Sequence, residues 1–247
     1  MKICLYGAAR EQIHPSFMEA AGAFGRSLAR RGHTLVYGGG ARGMMGAAAR
    51  GVQSQQGRLI AVAPGDVNAD GEIFEANSRL ILTRTLAERK EMFMHLSDAF
   101  VVMPGGIGTL DEFFDLLSVK RLTDWTAGAG TESQMNISGS KDDGSADPLL
   151  QPSVVHISQK PVAVYNINGY FDPLLQLLEH TIREEFAGAW TRELYRFCST
   201  EAEVWQCLEG FPEECCDAAE LTDADYDMWE RRSEKGFWRS FLEEQEK

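Results

Sequence analysis

Glu112 is the residue in this chain whose type and setting point most directly to chemistry. It closes the run Pro104-Gly105-Gly106-Ile107-Gly108-Thr109-Leu110-Asp111-Glu112. The run is preceded by the apolar, partly β-branched stretch Phe100-Val101-Val102-Met103 and followed by apolar residues at helical spacing, Leu110, Phe113, Phe114 and Leu117. The spacing predicts a buried strand, a tight turn stripped of side chains, and a helix. Backbone N–H groups at a helix N-terminus lack internal partners and sit at the positive end of the helix dipole, so such a turn suits an anion, most often phosphate. Gly105, Gly106, Gly108 and Thr109 are the candidate phosphate-binding residues, and Glu112 would stand one turn in with its carboxylate beside the bound group. Thr109-x-x-Glu112 also has the form of a capping box, in which both side chains are consumed by backbone N–H groups.

A second glycine run, Gly38-Gly39-Gly40-Ala41-Arg42-Gly43, carries the letters of a dinucleotide fingerprint. Its context differs: it follows the second expected strand, and no acidic residue closes the next strand to take a ribose hydroxyl. Gly39, Gly40 and Gly43 suit a phosphate or sugar at the backbone better than NAD, or a turn needed only for close packing. Neither run has the Gly-Lys-Ser/Thr of a P-loop. Glu88-Arg89-Lys90-Glu91 opens the helix before the central strand. Most such charge runs are solvated faces, but parallel topology would bring Arg89 to the sheet edge that carries both glycine runs, where a guanidinium could fork onto phosphate or ribose oxygens. His95 and Asp98 fall at the opposite edge and read as structural.

These residues need a scaffold, and the chain supplies alternating signals for one. Strands are expected at Lys2 to Tyr6, Thr34 to Tyr37, Leu59 to Ala63, Arg79 to Thr83, Phe100 to Val102, Pro161 to Tyr165 and Tyr195 to Cys198. Helices are expected near 15–30, 47–53, 86–96, 110–122, 171–186 and 201–208. This alternation predicts an α/β fold, a Rossmann-like doubly wound parallel sheet with helices on both faces. One catalytic domain would occupy 1–209. The aperiodic Gly/Ser/Asp-rich stretch 125–153 would be a flexible insertion, far longer than the usual helix-to-strand connection of about 2–6 residues. An acidic extension would cover 210–247.

The composition, 44% hydrophobic and 25% charged, is that of a soluble globular protein. No run approaches the roughly 18 apolar residues of a membrane span, and the start of the chain does not read as a secretory signal, so the expected compartment is the cytoplasm. Five cysteines without a C-x-x-C do not suggest zinc or a disulfide framework, and no metal site is expected. The formal charge of −13 argues against nucleic acid. From Glu201 onward 5 Lys/Arg face 15 Asp/Glu, so −10 of the −13 lies there and the main body is close to neutral. An anionic small molecule would not be repelled.

Taken together, Tyr37-Gly38-Gly39-Gly40-x-x-Gly43-x-Met45-Gly46, Glu88-Arg89-Lys90, Ser97-Asp98-Ala99-Phe100, Pro104-Gly105-Gly106-x-Gly108-Thr109-x-x-Glu112 and Asn168-Gly169-Tyr170-Phe171 resemble the LONELY GUY family, phosphoribohydrolases long labelled possible lysine decarboxylases. The resemblance spans about 1–208. It implies hydrolysis of the N-glycosidic bond of a nucleoside 5′-monophosphate (a cytokinin riboside monophosphate or an AMP-like nucleotide) to free base and ribose 5-phosphate. It further implies Glu112 and Arg89 as catalytic, Gly39, Gly40, Gly43, Lys90, Gly105, Gly106, Gly108 and Thr109 as substrate-binding, no cofactor, and a homodimer. The chain departs from the pattern at Leu86-Ala87, where relatives often have Met-His, in the 125–153 stretch and in the acidic tail. Those departures bear on the base more than on the reaction. A decarboxylase using pyridoxal phosphate would need a Schiff-base lysine and a ring-nitrogen partner, and the chain marks out no such pair. Two other readings remain: a non-catalytic nucleotide or cofactor carrier on the same scaffold, and an NAD(P) oxidoreductase.

Overall fold

The structure is a computed structural model that describes residues 1–65, 74, 76–128 and 157–210. Short apolar strands alternate with helices along the chain. The strands are Lys2–Tyr6 (β1), Thr34–Tyr37 (β2), Arg58–Pro64 (β3), Arg79–Thr83 (β4), Ala99–Val102 (β5), Val162–Tyr165 (β6) and Arg196–Cys198 (β7). The helices are Pro15–Arg30 (α1), Gly43–Gln53 (α2), Leu86–Leu96 (α3), Ile107–Gly128 (α4), Asp172–Arg183 (α5) and Glu201–Glu209 (α6). All seven strands run parallel in the order β4-β3-β2-β1-β5-β6-β7, the doubly wound arrangement that the alternation implied.

Because side chains alternate across a strand, the sheet divides the core in two. Ile3 and Leu5 of β1 point into one cluster, with Leu35, Ala61 and Val101 beneath α1, α2 and α6. Cys4 and Tyr6 point into the other, with Val36, Val62, Phe100 and Val102 beneath α3, α4 and α5. Phe24 of α1, fully buried, stacks on Trp205 of α6 at 4.9 Å between ring centroids, which ties the two helices together over the first face. Tyr6 meets Phe93 edge-on at 5.6 Å on the second.

The chain leaves β1 toward β2 and returns on its other side as β5, so the strand order reverses between β1 and β5. At such a switch point the loops after adjacent strands diverge and leave a crevice at the carboxyl edge. Here the loops are also sewn together. The Met103 N–H donates to Tyr6 O at 2.8 Å, the Ala8 N–H to Pro104 O at 3.0 Å and the Met44 N–H to Ala8 O at 2.8 Å. The loop after β1 thus bridges the two glycine runs. Gly43 makes that bridge sterically feasible: its φ is +59°, and a Cβ there would fall 2.3 Å from Ala8 O. At the opposite edge the Asp98 carboxylate accepts the Lys2 N–H at 2.6 Å, which ties the entry of β5 to β1, and burial pushes the His95 imidazole below its ordinary pKa.

Several element boundaries differ from the sequence expectation: α4 starts at Ile107 rather than near Leu110, and α5 ends at Arg183 rather than near Phe186. Helix α2 begins at Gly43 rather than near Ala47, where its bond to Ala8 anchors the first turn in a stretch that two glycines would otherwise keep from coiling. Helix α4 extends through Gly128, so its last turn covers the start of the expected 125–153 insertion. The remainder of that insertion and the acidic extension from 211 lie outside the described residues. No helix among the described residues is long and apolar enough to cross a membrane.

Candidate active site

The switch-point crevice is a cavity of about 440 Å³ between the loops after β1 and β5 and the starts of α2, α3 and α4. Gly105, Gly106, Gly108 and Thr109 form one wall, and Arg89 and Glu112 lie within it. A Cβ at Gly106 or at Gly108 would meet nothing within 4 Å, so the main chain there is open to an approaching group.

Three Thr-x-x-Glu motifs at the starts of helices show why Glu112 is available. At Thr85-Leu86-Ala87-Glu88 the threonine hydroxyl accepts the Glu88 N–H at 3.1 Å, and the Glu88 carboxylate reaches back to the Arg84 N–H at 2.7 Å. At Thr200-Glu201-Ala202-Glu203 the same pair forms, with the Glu203 N–H on the Thr200 hydroxyl at 3.2 Å and the Ser199 N–H on the carboxylate at 2.7 Å. Both open α-helices as N-terminal capping pairs. The third, Thr109-x-x-Glu112, does not, because α4 already begins at Ile107 and Thr109 lies inside its first turn. Glu112 points into the crevice instead.

Its carboxylate meets Arg89, with Nη1 to Oε1 at 3.3 Å and both side chains largely buried (17% and 12% exposed). The guanidinium is fixed on two further sides: Nε donates to Val62 O of β3 at 3.1 Å, and the group lies 4.9 Å from the centroid of the Phe93 ring. Gly38 leaves the room for it, since a Cβ there would fall 2.2 Å from Nη2 of Arg89. Burial pushes the Glu112 carboxyl up from 4.5 to about 7; Arg89 opposes the shift, Asp111 adds to it and Lys90 opposes it. Desolvation therefore outweighs the ion pair, and the group is poised to exchange a proton near neutrality.

The remaining sequence candidates lie elsewhere. Gly39, Gly40 and Gly43 do not line the cavity: a Cβ on Gly39 would stand 3.2 Å from Ala61 Cβ, and Gly43 packs on the Ala8-Ala9 backbone. Gly39 and Gly43 pack closely against neighbouring segments, and Met44 and Met45 follow the run into the cavity wall. Lys90 is also off the lining; it bridges Asp111 at 3.2 Å and Asp115 at 3.4 Å, joining α3 to α4. Sequence reasoning assigned no role to Arg10, Ile13 or Phe17, which the fold brings to the cavity from the β1–α1 loop and the first turn of α1. It quoted Tyr170 only within a motif. In the structure the Tyr170 hydroxyl donates to Gly105 O at 2.7 Å and its ring meets Phe17 edge-on at 6.0 Å. The glycine spacing around Gly105 pointed to that turn, but no local signal tied a residue some 65 positions later to it. Among the described residues no group of three His, Cys, Asp or Glu side chains is arranged to hold a metal ion.

Fold and cavity define a Rossmann-like α/β protein whose site lies at the topological switch point. A family model described as "Possible lysine decarboxylase" matches residues 45–127 and 148–208, more than half of the chain. The chain belongs to that family, the LONELY GUY family that its motifs resemble. Over 210 residues it is 26% identical to the cytokinin riboside 5′-monophosphate phosphoribohydrolase LOG of Oryza sativa subsp. japonica, covering 85% of this chain and 73% of the relative. It is 36% identical over 127 residues to the cytokinin riboside 5′-monophosphate phosphoribohydrolase of Mycobacterium marinum, covering 51% of this chain and 63% of the relative. In fold it is similar to the molybdenum cofactor binding protein of Rippkaea orientalis, with a TM-score of 0.55 and 20% identity over 85% of this chain and 95% of the other.

Proposed function

We propose that this chain is a nucleoside 5′-monophosphate phosphoribohydrolase that uses water to split the N-glycosidic bond into free base and ribose 5-phosphate. The observation that carries the reading is the largely buried Arg89–Glu112 pair at 3.3 Å, set beside the open main chain of Gly106 and Gly108. Membership of a family whose relatives include named phosphoribohydrolases supports it.

In this mechanism the N–H groups at the start of α4 and the Thr109 hydroxyl hold the 5′-phosphate. As the bond between base and C1′ breaks, its electron pair leaves with the base and positive charge builds on the ribose ring, as in glycoside hydrolysis. The Glu112 carboxylate stabilises that charge and takes a proton from the attacking water, whose oxygen bonds to C1′. A proton returned to the departing base completes the balance. A carboxyl held near 7 suits both halves of that exchange. Arg89 keeps Glu112 oriented and is placed to contact sugar or phosphate. Anchoring the unreactive phosphate holds C1′ against Glu112, so its loss should reduce rate as well as affinity.

The test is release of free base, followed by chromatography, across a panel of nucleoside 5′-monophosphates that includes AMP and a cytokinin riboside monophosphate. Tight nucleotide binding without base release would replace this reading with a carrier. The reading includes a homodimer, favoured by the exposed apolar side chains of Ile107 at the start of α4 and Leu86 at the start of α3, 82% and 62% exposed. Light scattering of the full chain measures that.

A further inference from the structure

We propose that Arg10 is the specificity residue that distinguishes a phosphorylated sugar from an unphosphorylated one. The inference takes its substrate class from the phosphoribohydrolase reading, while its geometry stands independently. Three charged side chains line the cavity: Arg10, Arg89 and Glu112. Arg89 and Glu112 neutralise one another when the carboxyl is ionised, and the Arg89 Nε is already taken by Val62 O. Arg10 has no hydrogen bond or ion pair with any described residue, and the rest of the loop-side lining, Ile13, Phe17, Met44 and Met45, carries no charge. With Glu112 ionised, as the hydrolytic step requires, the cavity therefore presents one uncompensated positive charge, and it belongs to Arg10.

Its position suits an anion at the glycine turn. Arg10 follows Ala8 by two residues, and Gly106 follows Pro104 by two. The Ala8 N–H bonds Pro104 O at 3.0 Å, so the two loops run on from a shared hydrogen bond. Backbone N–H groups at the start of α4 offer only the partial charge of a helix end, about half a unit, against a phosphate carrying close to two. A guanidinium supplies a full charge and a planar fork that matches phosphate oxygens. An unphosphorylated nucleoside offers Arg10 no anionic partner. The phosphate keeps its charge while the glycosidic bond breaks, and without Arg10 the N–H groups at the start of α4 still anchor it and hold C1′ against Glu112, so loss of this one contact should appear in KM rather than kcat.

The experiment compares the unmutated chain with Arg10→Ala and Arg10→Lys. Calorimetry reads binding of ribose 5-phosphate and of ribose, and base release from AMP reads kcat and KM. Arg10→Ala is expected to weaken ribose 5-phosphate about tenfold or more while leaving ribose unchanged, as loss of a charge-assisted hydrogen bond would. KM for AMP should rise by a similar factor with kcat within about twofold. Arg10→Lys should recover part of the loss, because it restores the charge without the fork. Arg10 is solvent-exposed on a loop, so both variants should melt with the unmutated chain. Unchanged ribose 5-phosphate binding in Arg10→Ala would overturn the proposal, and so would equal losses for ribose and ribose 5-phosphate. If the unmutated chain binds ribose 5-phosphate but releases no base, hydrolysis fails and the binding arm still decides the role of Arg10.

Discussion

Glu112→Gln keeps the side chain's shape and removes its titration, which makes the cost of burying this carboxylate measurable. Burial raises its pKa from 4.5 to about 7 in the fold. At about 1.4 kcal/mol per tenfold change in proton affinity, keeping the ionised form folded costs about 3 kcal/mol at alkaline pH. The sign follows from where the proton is held more tightly. The folded chain binds it better than the unfolded chain, so the favourable contribution is fully present below 4.5 and is lost as pH rises through about 7. Urea denaturation of both proteins from about pH 4 to about pH 9 should therefore show the unmutated chain losing about 3 kcal/mol relative to the glutamine variant, mostly between the two pKa values. Base release should show the complementary behaviour. Its rate should climb as Glu112 ionises near 7, and in Glu112→Gln that limb should vanish with a fall of about 10²–10⁴ in kcat. The substrate phosphate titrates near the same pH, but it is absent from the denaturation series. Denaturation curves that stay parallel across the whole pH range would refute the argument from burial, and a variant as active as the unmutated chain would refute the mechanism.

Other substitutions separate the parts of the site. Gly38→Ala places a Cβ 2.2 Å from the Arg89 head, the mobile end of a long side chain. It should cost no more than about 1 kcal/mol by thermal melting while displacing Arg89 and lowering kcat on the order of tenfold or more. Tyr170→Phe removes the hydrogen bond to Gly105 O; about 1 kcal/mol of stability and a rise in KM for AMP are expected, read by melting and steady-state kinetics. Lys90→Met breaks the partly exposed bridges to Asp111 and Asp115 and should leave KM within about twofold, with at most about 1 kcal/mol lost in urea. A large KM effect there would return Lys90 to the substrate.

The elements were largely legible because each is specified by its own neighbours. β1, β2, β4 and α3 fall at Lys2–Tyr6, Thr34–Tyr37, Arg79–Thr83 and Leu86–Leu96, as their periodicity and flanking residues indicate. Boundaries moved where a distant contact intervened, as at Gly43, whose helix starts early because Met44 is bonded to Ala8. The glycine turn before Glu112 was legible for the same local reason.

From the sequence alone came the parallel α/β plan, the turn at Gly105-Gly106 and the expectation that Glu112 and Arg89 share one edge of the sheet, since these follow from local spacing and the alternation of elements. Tertiary structure decided what those spacings are used for. Thr85-x-x-Glu88 and Thr200-x-x-Glu203 cap helices, whereas Thr109-x-x-Glu112 does not, because the fold starts α4 at Ile107 and turns Glu112 toward an arginine from α3. It also packed Gly39 and Gly43 closely against neighbouring segments and brought Arg10, Phe17 and Tyr170 to one cavity. Short-range patterns record hydrogen bonds a turn apart. A cavity at a switch point is walled by segments that meet only when the strand order reverses.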